Sequence, residues 1–189
     1  VLDIGAYTGL FALLAAIGSH DRLVHAFEPV PSTFTMLKRN AHVNHLDNLK
    51  PVWGAATNYD GTALLYIPHS TTLPFSASTR KGFRQAKESV AVPALRIDTY
   101  VEKNSVSSVG LIKIDTEGTE NEVLEGAITV LDRDRPLIIC EVLRGQTESL
   151  LHSVLADTAY RYFHITRGGL IHREAILGDE KFRDRNYLF

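Results

Sequence analysis

Four apolar runs in this chain each end in a carboxylate: Val1-Leu2-Asp3, Leu23 to Glu28, Leu111 to Asp115 and Leu137 to Glu141. An acidic side chain in such a place holds a cation or a hydroxyl of a ligand, or takes a proton from it. The spacing after the first run narrows the choice. Asp3-Ile4-Gly5-Ala6-Tyr7-Thr8-Gly9 turns the chain sharply and brings its backbone close to a ligand, which glycines permit. Dinucleotide binders use Gly-x-Gly-x-x-Gly there, with a pyrophosphate on the helix N-terminus. Here the glycines stand at 5 and 9, and Asp3 precedes them where its charge opposes a phosphate and suits a cation. Glu28 follows Gly9 by 19 residues, at the place where an acidic side chain accepts hydrogen bonds from both hydroxyls of a ribose. A ligand with a ribose and a positive charge but no phosphates fits this pair. S-adenosylmethionine has a ribose, an ammonium and a sulfonium.

Short apolar runs separated by helix-length segments read as strands of a parallel sheet buried on both faces. Parallel strands point one way, so the four carboxylates gather along the carboxyl edge, where open α/β sheets bind ligands. Helices are expected over Leu10 to Ile17 with Gly18 as the stop, from Pro31 to Asn44, over Ile97 to Glu102, from Glu120 through Leu131 and over Ser149 to Ala156. Leu49 to Gly54 adds a strand, and Tyr160 to Ile165 with Gly168 to Ile171 a terminal hairpin. The expected architecture is α/β: a mostly parallel seven-stranded sheet with an antiparallel closing strand and helices on both faces. Residues 58–93 form a β-rich insertion, in which Thr62 to Ile67 pairs with Ser89 to Val92. Between them Ser70 to Lys87 reads as a mobile excursion on the ligand side.

With 189 residues, 44% hydrophobic and 22% charged, the chain suits one domain over residues 1–189 that buries about 70% of its unfolded surface. A net charge of −2 leaves no footprint for extended nucleic-acid binding. No apolar run approaches the ~20 residues of a membrane span. The single cysteine, Cys140, reads as a reduced thiol in a buried strand, and the domain is read as cytoplasmic. The chain begins on a strand without Met, so further residues are expected before Val1, contributing a lid or an oligomer contact. Nothing in the sequence specifies an oligomeric state.

These residues resemble the FkbM-type methyltransferases, S-adenosylmethionine-dependent enzymes with the Rossmann-like class I fold. The resemblance rests on Val1-Leu2-Asp3-Ile4-Gly5-Ala6-x-x-Gly9, on Phe27-Glu28-Pro29 with Asn40 and Asn44, and on Arg96-Ile97-Asp98. It continues through Lys113-Ile114-Asp115-Thr116-Glu117-Gly118-x-Glu120, Val123-Leu124-x-Gly126-Ala127 and Arg135-Pro136 to Glu141. The Lys-x-Asp-x-Glu-Gly-x-Glu segment is its most specific part, and Tyr7 departs from it, since the family has Asn there. The resemblance implies O-methylation of a hydroxyl on a small molecule, a sugar or a natural product. It also implies S-adenosylmethionine as cofactor, held by Asp3, Gly5, Ala6, Tyr7, Gly9, Glu28, Pro29, Ala55 and Asp115.

Methyl transfer from a sulfonium to a hydroxyl needs alignment and a base tuned toward neutrality. Asp115 is the first candidate, and Lys113, Glu117 and Glu141 complete the catalytic set. Crowding of Asp115, Glu117 and Glu120 raises at least one pKa or gathers a divalent cation, and spacing does not choose between these. Glu120 reads equally well as a helix N-terminal charge. Lys113, on one strand face with Asp115, is expected to pair with Asp115, Glu117 or Glu141, a less favoured role being the base itself. His25 and His164 read as packing or surface residues, and His69 as an exposed loop histidine, a substrate contact being its less favoured role. Arg80, Lys81, Arg84 and Lys87 fit an anionic or sugar-phosphate acceptor, or merely a solvated loop. Two other classes stay open: a non-catalytic nucleotide-binding module of the same fold, and an NAD-dependent Rossmann oxidoreductase, against which the missing third glycine and Asp3 both argue.

Overall fold

The computed structural model describes residues 1–68 and 76–189. The order is β1 (Leu2–Ile4), α1 (Leu10–Gly18), β2 (Val24–Glu28), α2 (Pro31–Val43), β3 (Leu49–Trp53), β4 (Ala55–Ala56), β5 (Gly61–Pro68), β6 (Ala86–Leu95) and α3 (Ile97–Lys103). Then follow β7 (Leu111–Ile114), α4 (Glu120–Glu125), α5 (Ile128–Asp134), β8 (Leu137–Glu141), α6 (Glu148–Leu155), β9 (Tyr162–Thr166), β10 (Gly169–Arg173) and β11 (Asn186–Leu188).

Among the described residues the strands form an eight-stranded sheet, ordered β10-β9-β11-β8-β7-β1-β2-β3, and a three-stranded sheet, β4-β6-β5. From β3 to β8 all neighbours are parallel. β11 runs antiparallel to both β8 and β9, and β10 antiparallel to β9. The expected count of seven therefore falls one short. The extra strand is β11, only three residues long, too short to show an alternating pattern, and it lies between β8 and the terminal hairpin rather than beyond it.

Alternation along β2 shows the layering. Val24 and Ala26 pack with Ala12, Ala16 and Leu37 of α1 and α2, whereas Phe27, on the other face, joins Ile4, Ile114 and Leu124. Each fully buried Leu or Ile in these cores is worth about 1.5–3 kcal/mol in transfer free energy. Leu65, Val92 and Ala94 of the small sheet pack against Val30 and Ala55, which docks the insertion beside the exit of β2.

The helix expected from Glu120 through Leu131 is in fact two helices. Its apolar spacing continues, but the backbone breaks at Gly126, where a Cβ atom would lie 2.1 Å from the carbonyl oxygen of Thr57. Asp98 then starts α5 by accepting hydrogen bonds from the amides of Thr129 (3.1 Å) and Val130 (3.0 Å). Cys140 is fully buried, and that burial pushes its thiol well up. His25 meets the Tyr100 hydroxyl at 2.9 Å, and His164 stacks on Tyr187, so both are packing residues. His69 and positions 70–75 of the excursion lie outside the described residues. Among the described residues, no helix is long and apolar enough to cross a membrane.

Candidate active site

The loop after β1 is shaped by close backbone approach. A Cβ atom on Gly5 (φ +75°) would lie 1.9 Å from the carbonyl oxygen of Asp115, so only glycine lets this loop pass the exit of β7. The amides of Gly5 and Ala6 donate to the Phe27 carbonyl at 3.1 and 2.9 Å, and Asn40 on α2 donates to the Thr8 carbonyl at 2.8 Å. Tyr7 sits in the left-handed region (φ 54°), which costs a non-glycine residue on the order of 1 kcal/mol. Its amide donates to Glu28 Oε2 at 2.8 Å, while the Val30 amide donates to Oε1 at 2.9 Å.

A cleft opens at this edge, and Gly5, Tyr7, Glu28, Pro29, Ala55, Asp115 and Glu117 line it. The fold thus brings together seven of the residues singled out in the sequence. Asp3, Ala6, Gly9, Lys113 and Glu141 are not part of its wall. Ala77, Ser78 and Thr79 of the insertion do line it, so part of the excursion reaches this edge of the sheet.

Most of the carboxylates around the cleft are buried. Glu28 is held up at about 7 by burial, against the two backbone hydrogen bonds it accepts. Asp3 is fully buried, and neither oxygen makes a hydrogen bond. Burial lifts it to about 6, outweighing the pull of Lys113. Lys113 lies 3.3 Å from Asp115 and 3.6 Å from Asp3. Its expected partner Asp115 is present, but Asp3 takes the place proposed for Glu117 or Glu141. Glu141 instead pairs with Arg185 at 2.8 Å, and burial together with Asp115 raises it to about 8.

Glu117 occupies a left-handed turn (φ 58°) in the cleft wall. Burial first, then the neighbouring Asp115 carboxylate, raises its pKa; the nearest opposing charge is Arg84 at 3.6 Å. Glu120 is neither an open helix-end charge nor a cleft residue. Its Oε1 accepts from the amide and hydroxyl of Thr116 (3.0 and 3.1 Å) and from the Gly118 amide (3.1 Å), tying down the loop that presents Asp115 and Glu117. Among the described residues, no three His, Cys, Asp or Glu side chains are grouped so as to hold a metal ion.

Phe83 and Arg185 carry no signal in the sequence. Phe83 packs on the Gly118 turn, where a Cβ would meet its ring at 2.7 Å, and Arg185 follows a stretch without regular structure. Arg84 has a signal, as one of the basic residues of the excursion.

The chain matches the model of the methyltransferase FkbM domain over residues 3–162. It is 25% identical over 163 residues to 31-O-demethyl-FK506 methyltransferase FkbM of Streptomyces tacrolimicus, covering 73% of this chain and 62% of that protein. It is 27% identical over 153 residues to methyltransferase sdnD of Sordaria araneosa, covering 67% of this chain and 59% of that protein. The chain thus spans about three fifths of the length of the curated relatives it matches. Among solved structures, a methyltransferase FkbM from Methylobacillus flagellatus superimposes with a TM-score of 0.61 at 17% identity, covering 99% of this chain and 42% of that one. The likeness shows a Rossmann-like methyltransferase fold, with the mostly parallel sheet described above. The chain belongs to the FkbM methyltransferase family.

Proposed function

We propose that this domain binds S-adenosylmethionine in the cleft and transfers its methyl group to a hydroxyl of a small-molecule acceptor, a sugar or a natural product. One observation carries the reading: Glu28, the close-passing Gly5 loop, Asp115 and Glu117 line a single cleft. A carboxylate has about four acceptor positions, and the Tyr7 and Val30 amides use two, so Glu28 keeps capacity for ribose hydroxyls. Net negative charge around Asp3, Lys113 and Asp115 suits the ammonium and sulfonium of the cofactor. When bound, S-adenosylmethionine supplies an electrophilic methyl group. Glu117 takes the hydroxyl proton of the acceptor, because it lines the cleft and burial holds its pKa up, against the pull of Arg84 3.6 Å from its Oε2. Burial favours Glu117 (17% exposed) over Asp115, which is 41% exposed and lies 3.3 Å from Lys113. The Streptomyces relative is named for methylating an oxygen of FK506, which supports a hydroxyl as the acceptor.

The test is a calorimetric titration with S-adenosylmethionine, with NAD as the control ligand. Wild type binds S-adenosylmethionine and not NAD, Glu28→Ala weakens that binding by roughly 10- to 100-fold, and Glu117→Gln keeps it while losing methyl transfer. Silence of the folded wild-type protein toward S-adenosylmethionine, or binding of NAD in its place, would refute the reading.

A further inference from the structure

The ammonium of Lys113 has three acceptors around it: Asp115 Oδ2 at 3.3 Å, the Gly5 carbonyl at 3.4 Å and Asp3 Oδ1 at 3.6 Å. They come from the exit of β7, the loop after β1 and the middle of β1. Strand register explains the convergence. Asp3 and Lys113 are partners across β1 and β7, and Asp115 stands two residues further on, so the three side chains leave one face of the sheet. All three contacts are longer than the ~2.8 Å of a tight charge-assisted hydrogen bond. Lys113 is shared among acceptors rather than committed to one. The acceptors also differ in access: Asp115 is 41% exposed and, with Gly5, lines the cleft, whereas Asp3 is fully buried behind it.

We propose that Lys113 is a positioning residue that fills an ammonium seat until a ligand brings its own. With the cleft empty, Lys113 serves Asp115, the Gly5 carbonyl and Asp3 together. When the ammonium of a ligand reaches Asp115 and Gly5, Lys113 withdraws to Asp3. The inference rests on reading the cleft as a site for an ammonium-bearing cofactor. Charge count supports it, since two carboxylates and one lysine leave a single negative charge for one incoming cation to neutralise. Losing Lys113 from a buried Asp3 would strand that carboxylate, which is why the lysine retreats rather than leaves. Lysine suits the task better than arginine, because it carries a compact charge on a flexible stem where arginine presents a rigid fork.

The experiment compares two ligands, S-adenosylhomocysteine and the same thioether lacking its α-amino group, on wild type, Lys113→Met and Lys113→Arg by calorimetry near neutral pH. Removing the resident cation makes Lys113→Met bind S-adenosylhomocysteine ~5-fold more tightly or better and leaves the deaminated ligand unchanged. Lys113→Arg lowers the preference for the amino-bearing ligand, because the guanidinium does not yield its seat. Equal weakening of both ligands in a folded Lys113→Met would overturn the proposal and leave the lysine a structural role. Should the methionine variant not fold, the arginine variant decides, and an unchanged preference there overturns the proposal. Failure of wild type to bind S-adenosylhomocysteine would strike the reading of the cleft itself, an outcome distinct from binding with an unaltered preference.

Discussion

At the amino edge of the large sheet, Asp134 accepts the Val109 amide at 2.9 Å and two hydrogen bonds from Arg133 at 2.6 and 2.8 Å. At the carboxyl edge, Asp3 makes no hydrogen bond, and Glu117, Glu120 and Glu141 each keep one buried oxygen without one. The same chemical group is therefore in opposite states at the two edges. Arg133 holds Asp134 below the usual carboxylate range, whereas burial holds Asp3, Glu28, Glu117 and Glu141 above it. Nothing about a parallel sheet demands this difference. A fold selected for stability alone would satisfy both edges as it satisfies Asp134, so the cost carried at the other edge supports the functional site proposed there.

The sharpest way to break the comparison is Gly5→Ala. Its added methyl would collide with the Asp115 carbonyl while forcing a non-glycine residue to φ +75°. We expect at least about 2–3 kcal/mol of lost stability in urea unfolding and no measurable binding of S-adenosylmethionine. Gly18→Ala is the control, since nothing lies within 4 Å of its Cβ position, and it should change neither stability nor binding appreciably. A Gly5→Ala protein as stable as wild type would mean that the β1 loop and the exit of β7 do not press together.

The pH dependence of stability tests the electrical contrast itself. Asp3 is raised from 3.8 to about 6, Glu28 from 4.5 to about 7 and Glu141 from 4.5 to about 8. Between its unfolded and folded values each group binds more protons in the native state, so stability falls as pH rises. The contribution is complete below about pH 4 and is lost progressively up to about pH 8. His25, whose pKa burial lowers, acts in the opposite sense around its ordinary value of 6.5, as does the Val1 amino group below its ordinary value of 8.0, but these two stand against six raised carboxylates. Thermal unfolding of the ligand-free protein should therefore give a Tm several degrees higher near pH 5 than near pH 8. A Tm that is flat or rises over that window would show that these carboxylates are as well satisfied as Asp134.

Much of this was legible from residue order, for physical reasons. Strands covered on both faces must be apolar throughout, so an acid that ends such a run stands out, and four of them outline one sheet edge. Legibility failed wherever the answer depended on which strands are neighbours. Parity along β7 puts Lys113 and Asp115 on one face, but only the adjacency of β7 and β1 brings Asp3 into register with Lys113. The pairing of Glu141 with Arg185 depends on β11, whose three residues carry no pattern. Likewise Gly126 continues the helical spacing of its neighbours, and the break there comes from a backbone contact with Thr57, 69 residues earlier. Ser78 and Thr79 became cleft wall through docking of the small sheet, a tertiary event that local composition does not encode.

The smallest effect should come from removing one charge at each edge while keeping the side-chain shape. Asp134→Asn weakens the bond to the Val109 amide and the grip on Arg133, which is largely solvent-screened. We expect a loss of about 0.5–1 kcal/mol near neutral pH, with S-adenosylmethionine affinity unchanged. Because the pKa of Asp134 is lowered in the fold, its contribution is present above the ordinary value of 3.8 and disappears as pH falls through the folded value, so variant and wild type should converge in acid. Asp3→Asn removes a buried charge that makes no hydrogen bond, so near neutral pH it should cost less stability than Asp134→Asn while weakening S-adenosylmethionine binding. Urea unfolding and calorimetry on the two variants form a cross: one edge loses stability and keeps binding, the other keeps stability and loses binding. If Asp134→Asn weakened the ligand as much as Asp3→Asn did, the two edges would be electrically coupled through the sheet, and the division of labour between them would not stand.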